Sequence, residues 1–215
     1  VRAVINLAIR ERGLSVTNVF SGTFIPDDKV KKKRLPIPTE ALLGTQQECM
    51  ALDDQPSWLI ALISNTGMRL SEACGLRARD IHLNGDTPYI NLVEHPWRRL
   101  KTTSSSRQVP LVGASLWAAQ RIKDAGSAFA FPKYCSEAKY NANSASAALN
   151  KWLKPRVPDG CVIHSFRHSL RDRLRAIECP ADIIDAIGGW TTKGIGHQYG
   201  EGHRLAVTHG WMERL

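Results

Sequence analysis

The sequence has few of the features that announce a cofactor, a metal or a membrane. Its five cysteines, Cys49, Cys74, Cys135, Cys161 and Cys179, are odd in number, widely spread and never paired as CxxC. That excludes a disulfide scaffold and reads as reduced thiols of a cytoplasmic protein. The longest unbroken apolar run, Trp58 to Ile63, is far too short to cross a bilayer, so no membrane partner is expected. The chain opens on Val rather than Met with no signal peptide pattern, consistent with a fragment. No GxxxxGK[ST] loop is present, which argues against ATP-driven chemistry. His164 and His168 stand four apart, but Ser165 occupies the place where a zincin helix carries Glu. His197, His203 and His209 lack carboxylates or thiols at ligand spacing. No metal and no cofactor is therefore expected. There is no internal repeat and no low-complexity tract.

Acidic residues are also in short supply: 20 Asp and Glu face 29 Lys and Arg, a net charge of +9 over 215 residues. Such an excess favours a polyanionic partner, most often nucleic acid. Hydrophobic residues make up 43% of the chain, enough for a core without disulfides or metal.

Hydrophobic spacing divides the chain. Val4, Ile5, Ala8 and Ile9 predict a helix over residues 1–13, too short to stand alone. Proline and the run from Lys29 to Arg34 then read as a basic linker. One domain follows from residue 37 to the end. Thr39 is placed as the cap of a helix reaching at least Gln47. Pro56 to Asn65 reads as a buried helix and Ser71 to Leu76 as a short one. Ile81–Leu83, Tyr89–Val93 and Arg107–Leu111 read as short strands, with Asn84-Gly85 as a hairpin signal. Helices resume at Ser115–Ala125, Ser144–Lys154, Ser165–Ile177, Pro180–Gly188 and Arg204–Leu215. The expected class is a mainly helical α+β domain with a small antiparallel three-stranded sheet.

Three segments carry chemistry. Arg69 stands three residues before Glu72 at a helix-to-helix junction, where a first-turn carboxylate can hold a guanidinium. Alone, that pair reads as a local ion pair. His164 and Arg167 lie one turn apart at a helix start, where free N–H groups suit a phosphate. Their plain alternative is a surface pair on a helix that also carries Arg171, Arg173 and Arg175. Tyr199 sits in the glycine-rich stretch from Gly188 to Gly202, by itself an ordinary edge residue.

Taken in order, these segments resemble the catalytic domain of the tyrosine recombinases, the phage integrase family. Thr66-Gly67-Met68-Arg69-Leu70-Ser71-Glu72 resembles the first arginine box and His164-Ser165-Phe166-Arg167-His168 the second. Trp190 stands 23 residues after Arg167, and Tyr199 nine after Trp190, in the places of the family's His or Trp and its nucleophile. Leu100-Lys101-Thr102 followed by Ser106-Arg107-Gln108-Val109-Pro110-Leu111 resembles the hairpin that supplies a catalytic lysine.

The resemblance covers residues 37–215 as a catalytic domain. Residues 1–25 resemble the tail of a core-binding domain, joined by a linker at 26–36. It implies a site-specific recombinase or integrase that cleaves and rejoins DNA through a 3′-phosphotyrosyl intermediate, without metal or ATP. Arg69, Lys101, His164, Arg167, Trp190 and Tyr199 would be catalytic and Glu72 supporting. The partner would be double-stranded DNA, with monomers assembling as tetramers on paired sites and passing a C-terminal element between subunits. Two alternatives stay open on the sequence: a non-catalytic DNA-binding remnant, and strand relaxation of the type IB topoisomerase kind. The apolar stripe Val207, Trp211 and Leu215 can either dock on a neighbouring protomer or fold back on its own domain, the latter being favoured for an isolated monomer.

Overall fold

The computed structural model describes residues 1–24, 34–190 and 203–215. The chain divides into two compact units, Val1–Lys33 and Arg34–Leu215. In the first, helix α1 (Arg2–Glu11) has no buried residue. The Asn18 amide ties it down by donating to Asn6 Oδ1 at 2.6 Å and to the Arg2 carbonyl at 3.1 Å.

The second unit is built around helix α3 (Gln55–Thr66). Asp54 caps it by accepting the Ser57 N–H at 2.9 Å, and Pro56 suits the first turn, where no intrahelical donor is needed. Leu59, Ile60, Leu62 and Ile63 are all buried, because other elements cover α3 on every side. Helices α2 (Thr39–Leu52), α5 (Gly113–Asp124) and α7 (Ser165–Ala176) pack against it. Burying each such aliphatic side chain stabilises the fold by about 1.5–3 kcal/mol.

The start of α2 departs from expectation. Thr39 is its first helical residue, the cap position falls on Pro38, and no side chain caps it. The fixed ring of Pro38 leads the chain into the helix, whose first N–H groups receive no side-chain cap. The helix continues to Leu52 and stops where Asp53 turns left-handed at φ 45°.

Strands β1 (Ile81–His82), β2 (Tyr89–Leu92) and β3 (Arg107–Pro110) form one antiparallel sheet in that order. Ile90 pairs with Ile81 on one side and Val109 on the other, and Leu92 pairs with Arg107. Ile90 and Leu92 point into the core while Tyr89 and Asn91 are half-buried, the period of two expected of a strand with one covered face. Gly85 takes φ +99° in the connection from β1 to β2, which is longer than a two-residue hairpin turn.

Helices α4 (Leu70–Cys74) and α6 (Ala142–Leu153) complete the main core. A second cluster joins α7 to α8 (Ala181–Gly188) and α9 (Leu205–Glu213) through Leu170, Leu174, Ile183, Ile184, Ile187 and Met212. The last helix therefore folds back on its own unit. Met212 is fully buried, Trp211 and Leu215 pack beside it, and Arg173 donates to the Leu215 carbonyl at 3.1 Å. Of the stripe expected to seek a neighbouring protomer, Val207 remains exposed.

Among the described residues, no helix is long and apolar enough to cross a membrane. All five cysteines are free, and only Cys161 is not fully buried.

Candidate active site

The first arginine is placed by its own helix. Arg69 caps α4, and its N–H donates to Glu72 Oε2 at 3.0 Å while its Nη1 donates to Glu72 Oε1 at 2.5 Å. One carboxylate thus satisfies a free N-terminal donor and aims the guanidinium. Glu72 is only 3% exposed, whereas the Arg69 side chain is 20% exposed and open on its outer side. The expected Arg69–Glu72 pairing is present.

The same arginine is tied to the loop between β2 and β3. Arg69 Nη1 also donates to Ser105 Oγ at 3.0 Å. Ser105 Oγ in turn hydrogen-bonds Thr102 Oγ1 at 2.9 Å, and the Ser105 N–H donates to the Thr102 carbonyl at 3.0 Å. Lys101, the residue before this anchored turn, is exposed beside Glu94, Leu100 and Ser106. The lysine is therefore mounted on a loop whose base is pinned to the first arginine.

The second arginine is placed by burial. Arg167 lies in the first turn of α7 and is 3% exposed, so the reading of His164 and Arg167 as a surface pair fails. Its Nη1 donates to the Gly67 carbonyl at 2.8 Å, joining the two boxes. Gly67 stops α3 in the left-handed region at φ +58°, and a Cβ there would lie 2.5 Å from the Leu170 side chain. Glycine makes that turn, and presents its carbonyl, without strain or a clash with Leu170.

Trp190 covers the arginine. Its ring lies 4.2 Å from the Arg167 guanidinium and 4.9 Å from that of Arg171. Its N–H donates to the Asp185 carbonyl at 2.9 Å, and Arg171 pairs with the Asp185 carboxylate at 3.0 Å. A Cβ on Gly188 would collide with the indole, so the ring can fold down only over a glycine.

This cluster is strongly cationic. Burial and the charges of Arg69 and Arg107 push Arg167 down to about 9, still charged at neutral pH. Burial, then Arg34 and His168, push His164 down to about 4, leaving a neutral imidazole at neutral pH. The Arg167 Nη2 group is buried and has no hydrogen-bond partner among the described residues. A buried unpaired guanidinium N–H is costly, and an anion seated between the two arginines would satisfy it. Among the described residues, no group of three or more His, Cys, Asp or Glu side chains could hold a metal ion.

The sequence profile of the phage integrase family matches residues 39–202, well over half of the chain. The chain belongs to the phage integrase family. Solved structures share its fold at low identity. The Tn1549 transposon integrase in complex with a circular intermediate DNA has a TM-score of 0.60 at 17% identity, covering 100% of this chain and 76% of that one. XerA recombinase has a TM-score of 0.54 at 15% identity, covering 99% and 68%. A lambda integrase tetramer bound to a Holliday junction has a TM-score of 0.57 at 14% identity, covering 92% and 56%. No curated protein sequence matches.

In this phage integrase family chain the structure gathers Arg69, Glu72, His164, Arg167 and Trp190, and pins the Lys101 loop to them. Tyr199 lies outside the described residues. Sequence reading missed Ser105 and Arg107, whose signal was a Ser-x-Arg spacing opening β3. It also missed the bracing of Trp190 by Arg171 and Asp185, visible only once α7 and α8 are packed together.

Proposed function

We propose that this chain is the catalytic part of a site-specific DNA recombinase that cuts and rejoins strands through Tyr199. The observation that carries this is a pair of guanidiniums near enough for the charge of Arg69 to lower Arg167, one held by Glu72 and one buried with a donor unused among the described residues. Arg69 and Arg167 would grip the non-bridging oxygens of a scissile phosphate, where charge grows in the transition state. The ring of Trp190 keeps Arg167 in place and shields it from water.

The tyrosine oxygen would bond to phosphorus as the bond to the 5′-oxygen breaks, leaving a 3′-phosphotyrosyl link. Neutral His164 is able to accept the proton that tyrosine loses, its basicity raised once the phosphate is seated. Lys101 would hand a proton to the departing 5′-oxygen. Rejoining reverses these steps, so neither metal nor ATP is required.

The DNA complexes of the structural relatives, including a tetramer on a Holliday junction, support double-stranded DNA and four-copy assembly as the working partners. Residues 1–25 fit the end of a core-binding domain and 26–36 a basic linker, with catalysis in 37–215.

A nicked duplex that loses its 5′-fragment after cleavage tests this reading, run with EDTA present. The intact protein should form an SDS-resistant adduct that maps to Tyr199, and Tyr199→Phe should bind the same DNA and form none. An adduct on Tyr89, Tyr134 or Tyr140, or dependence on added magnesium, would contradict the assignment.

A further inference from the structure

We infer that Arg107 is a positioning residue: the joint that sets the Lys101 loop and the Trp190 turn against the first arginine box. The inference rests on the recombinase reading and extends it to a side chain that would not touch DNA.

Arg107 opens β3, its side chain 7% exposed and behind the cluster rather than in it. Its guanidinium reaches three segments at once. Nε donates to the Ile187 carbonyl at 2.9 Å, at the end of α8 and three residues before Trp190. Nη1 donates to the Ser105 carbonyl at 2.8 Å, and Ser105 carries the hydroxyl that receives Arg69 and holds Thr102. Nη2 faces Glu72 Oε2 at 3.5 Å, on the carboxylate that aims Arg69.

The fit against the glycine turn is close. Gly189 sits at φ +61°, and a Cβ there would lie 2.6 Å from Arg107 Nη1 and 3.0 Å from the Ser104 carbonyl. The turn that delivers Trp190 therefore presses its backbone onto the guanidinium. Arg69, Lys101 and Trp190 come from three separate stretches of chain, and Arg107 is hydrogen-bonded to the frames of Lys101 and Trp190 and ion-paired with the carboxylate that holds Arg69. A planar fork with donors in fixed directions can do this; a lysine, whose three donors share one compact centre, cannot span all three segments.

The test uses the intact protein with Arg107→Lys and, disturbing the same joint from the other side, Gly189→Ala. Each is measured on two nicked substrates, one with the normal 5′-oxygen and one with a 5′-bridging sulfur, which departs without a proton donor. DNA binding, thermal unfolding and amide hydrogen exchange of residues 102–106 are read in parallel.

Misplacing a group by an ångström costs about 100-fold, so Arg107→Lys should lose about that on the oxygen substrate. It should recover most of the loss on sulfur, bind DNA as the parent does, and exchange faster at 102–106. Gly189→Ala should show the same pattern in weaker form. Equal losses on both substrates, falling in step with unfolding temperature, would reduce Arg107 to a purely structural residue and overturn the inference. So would an Arg107→Lys protein with unchanged exchange. If the parent forms no adduct on either substrate, the recombinase reading fails instead, and the exchange measurement still decides whether Arg107 holds the loop.

Discussion

Arg69 and Arg167 carry the same chemical group and feel each other's charge, yet they are held by opposite means. Arg69 is partly exposed and gripped by a carboxylate three residues away in its own helix. Arg167 is buried and pairs with no carboxylate among the described residues; a carbonyl from another segment fixes one nitrogen and an aromatic face covers the plane. The local arrangement is specified by a few neighbouring residues. The long-range one needs α3, α7 and the turn after α8 to be assembled first. The cost of burying Arg167 among like charges is borne by the surrounding fold.

Removing the carboxylate should do the most damage. Glu72 is 3% exposed and lies between Arg69 and Arg107. Breaking a buried pair leaves cations uncompensated and costs about 3–5 kcal/mol. Glu72→Gln should therefore lower the unfolding temperature markedly, read by calorimetry, and Arg167 should become harder still to keep charged. If Glu72→Gln unfolds as the parent does, Arg69 is not held by the charge of its partner.

Stripping the cover from Arg167 should come next. A desolvated cation–π contact is worth about 2 kcal/mol, so Trp190→Ala should slow adduct formation by about 30-fold. Trp190→Phe keeps a ring face and should lose less. Equal losses would mean that the ring contributes only bulk. Neither change should alter how Arg69 is held, which the Arg69–Glu72 geometry in a structure of the variant would check.

The gentlest probe is pH. His164 is pushed down to about 4 from a usual value near about 6.5. The unfolded chain then binds more protons at this residue between those values, so stability is fully present above about 6.5 and falls as pH drops toward 4. His164→Gln should flatten that part of the stability–pH curve. By NMR, the His164 ring should titrate near 4 in the free protein and higher with DNA bound, since a phosphate favours the protonated form. A free-state titration near 6.5 would mean that burial, with the charges of Arg34 and His168, does not hold it down.

What the sequence made legible follows the same division. Arg69 with Glu72 was readable because both partners share one turn of chain, and the sheet because its strands alternate. The buried state of Arg167 was not, since the helix pattern around Arg171, Arg173 and Arg175 looks solvent-facing until α8 and α9 pack on it. Thr39 misled as a cap because the helix starts on it, with Pro38 at the cap position and no capping side chain. Ser105 and Arg107 were passed over inside a polar run whose importance lies in what it touches across the fold. Tyr199 remains an assignment from order and spacing alone.

The central claim is that Arg69 and Arg167 neutralise one phosphate between them. It is tested most directly by removing that phosphate's charge. With a normal scissile phosphate, Arg167→Ala should form the Tyr199 adduct about 100–1,000-fold more slowly than the parent. With a methylphosphonate in the same position, one charged oxygen is gone and Arg167→Ala should regain most of the lost rate. Failure of the neutral linkage to restore Arg167→Ala, in protein that still folds and binds DNA, would contradict the account.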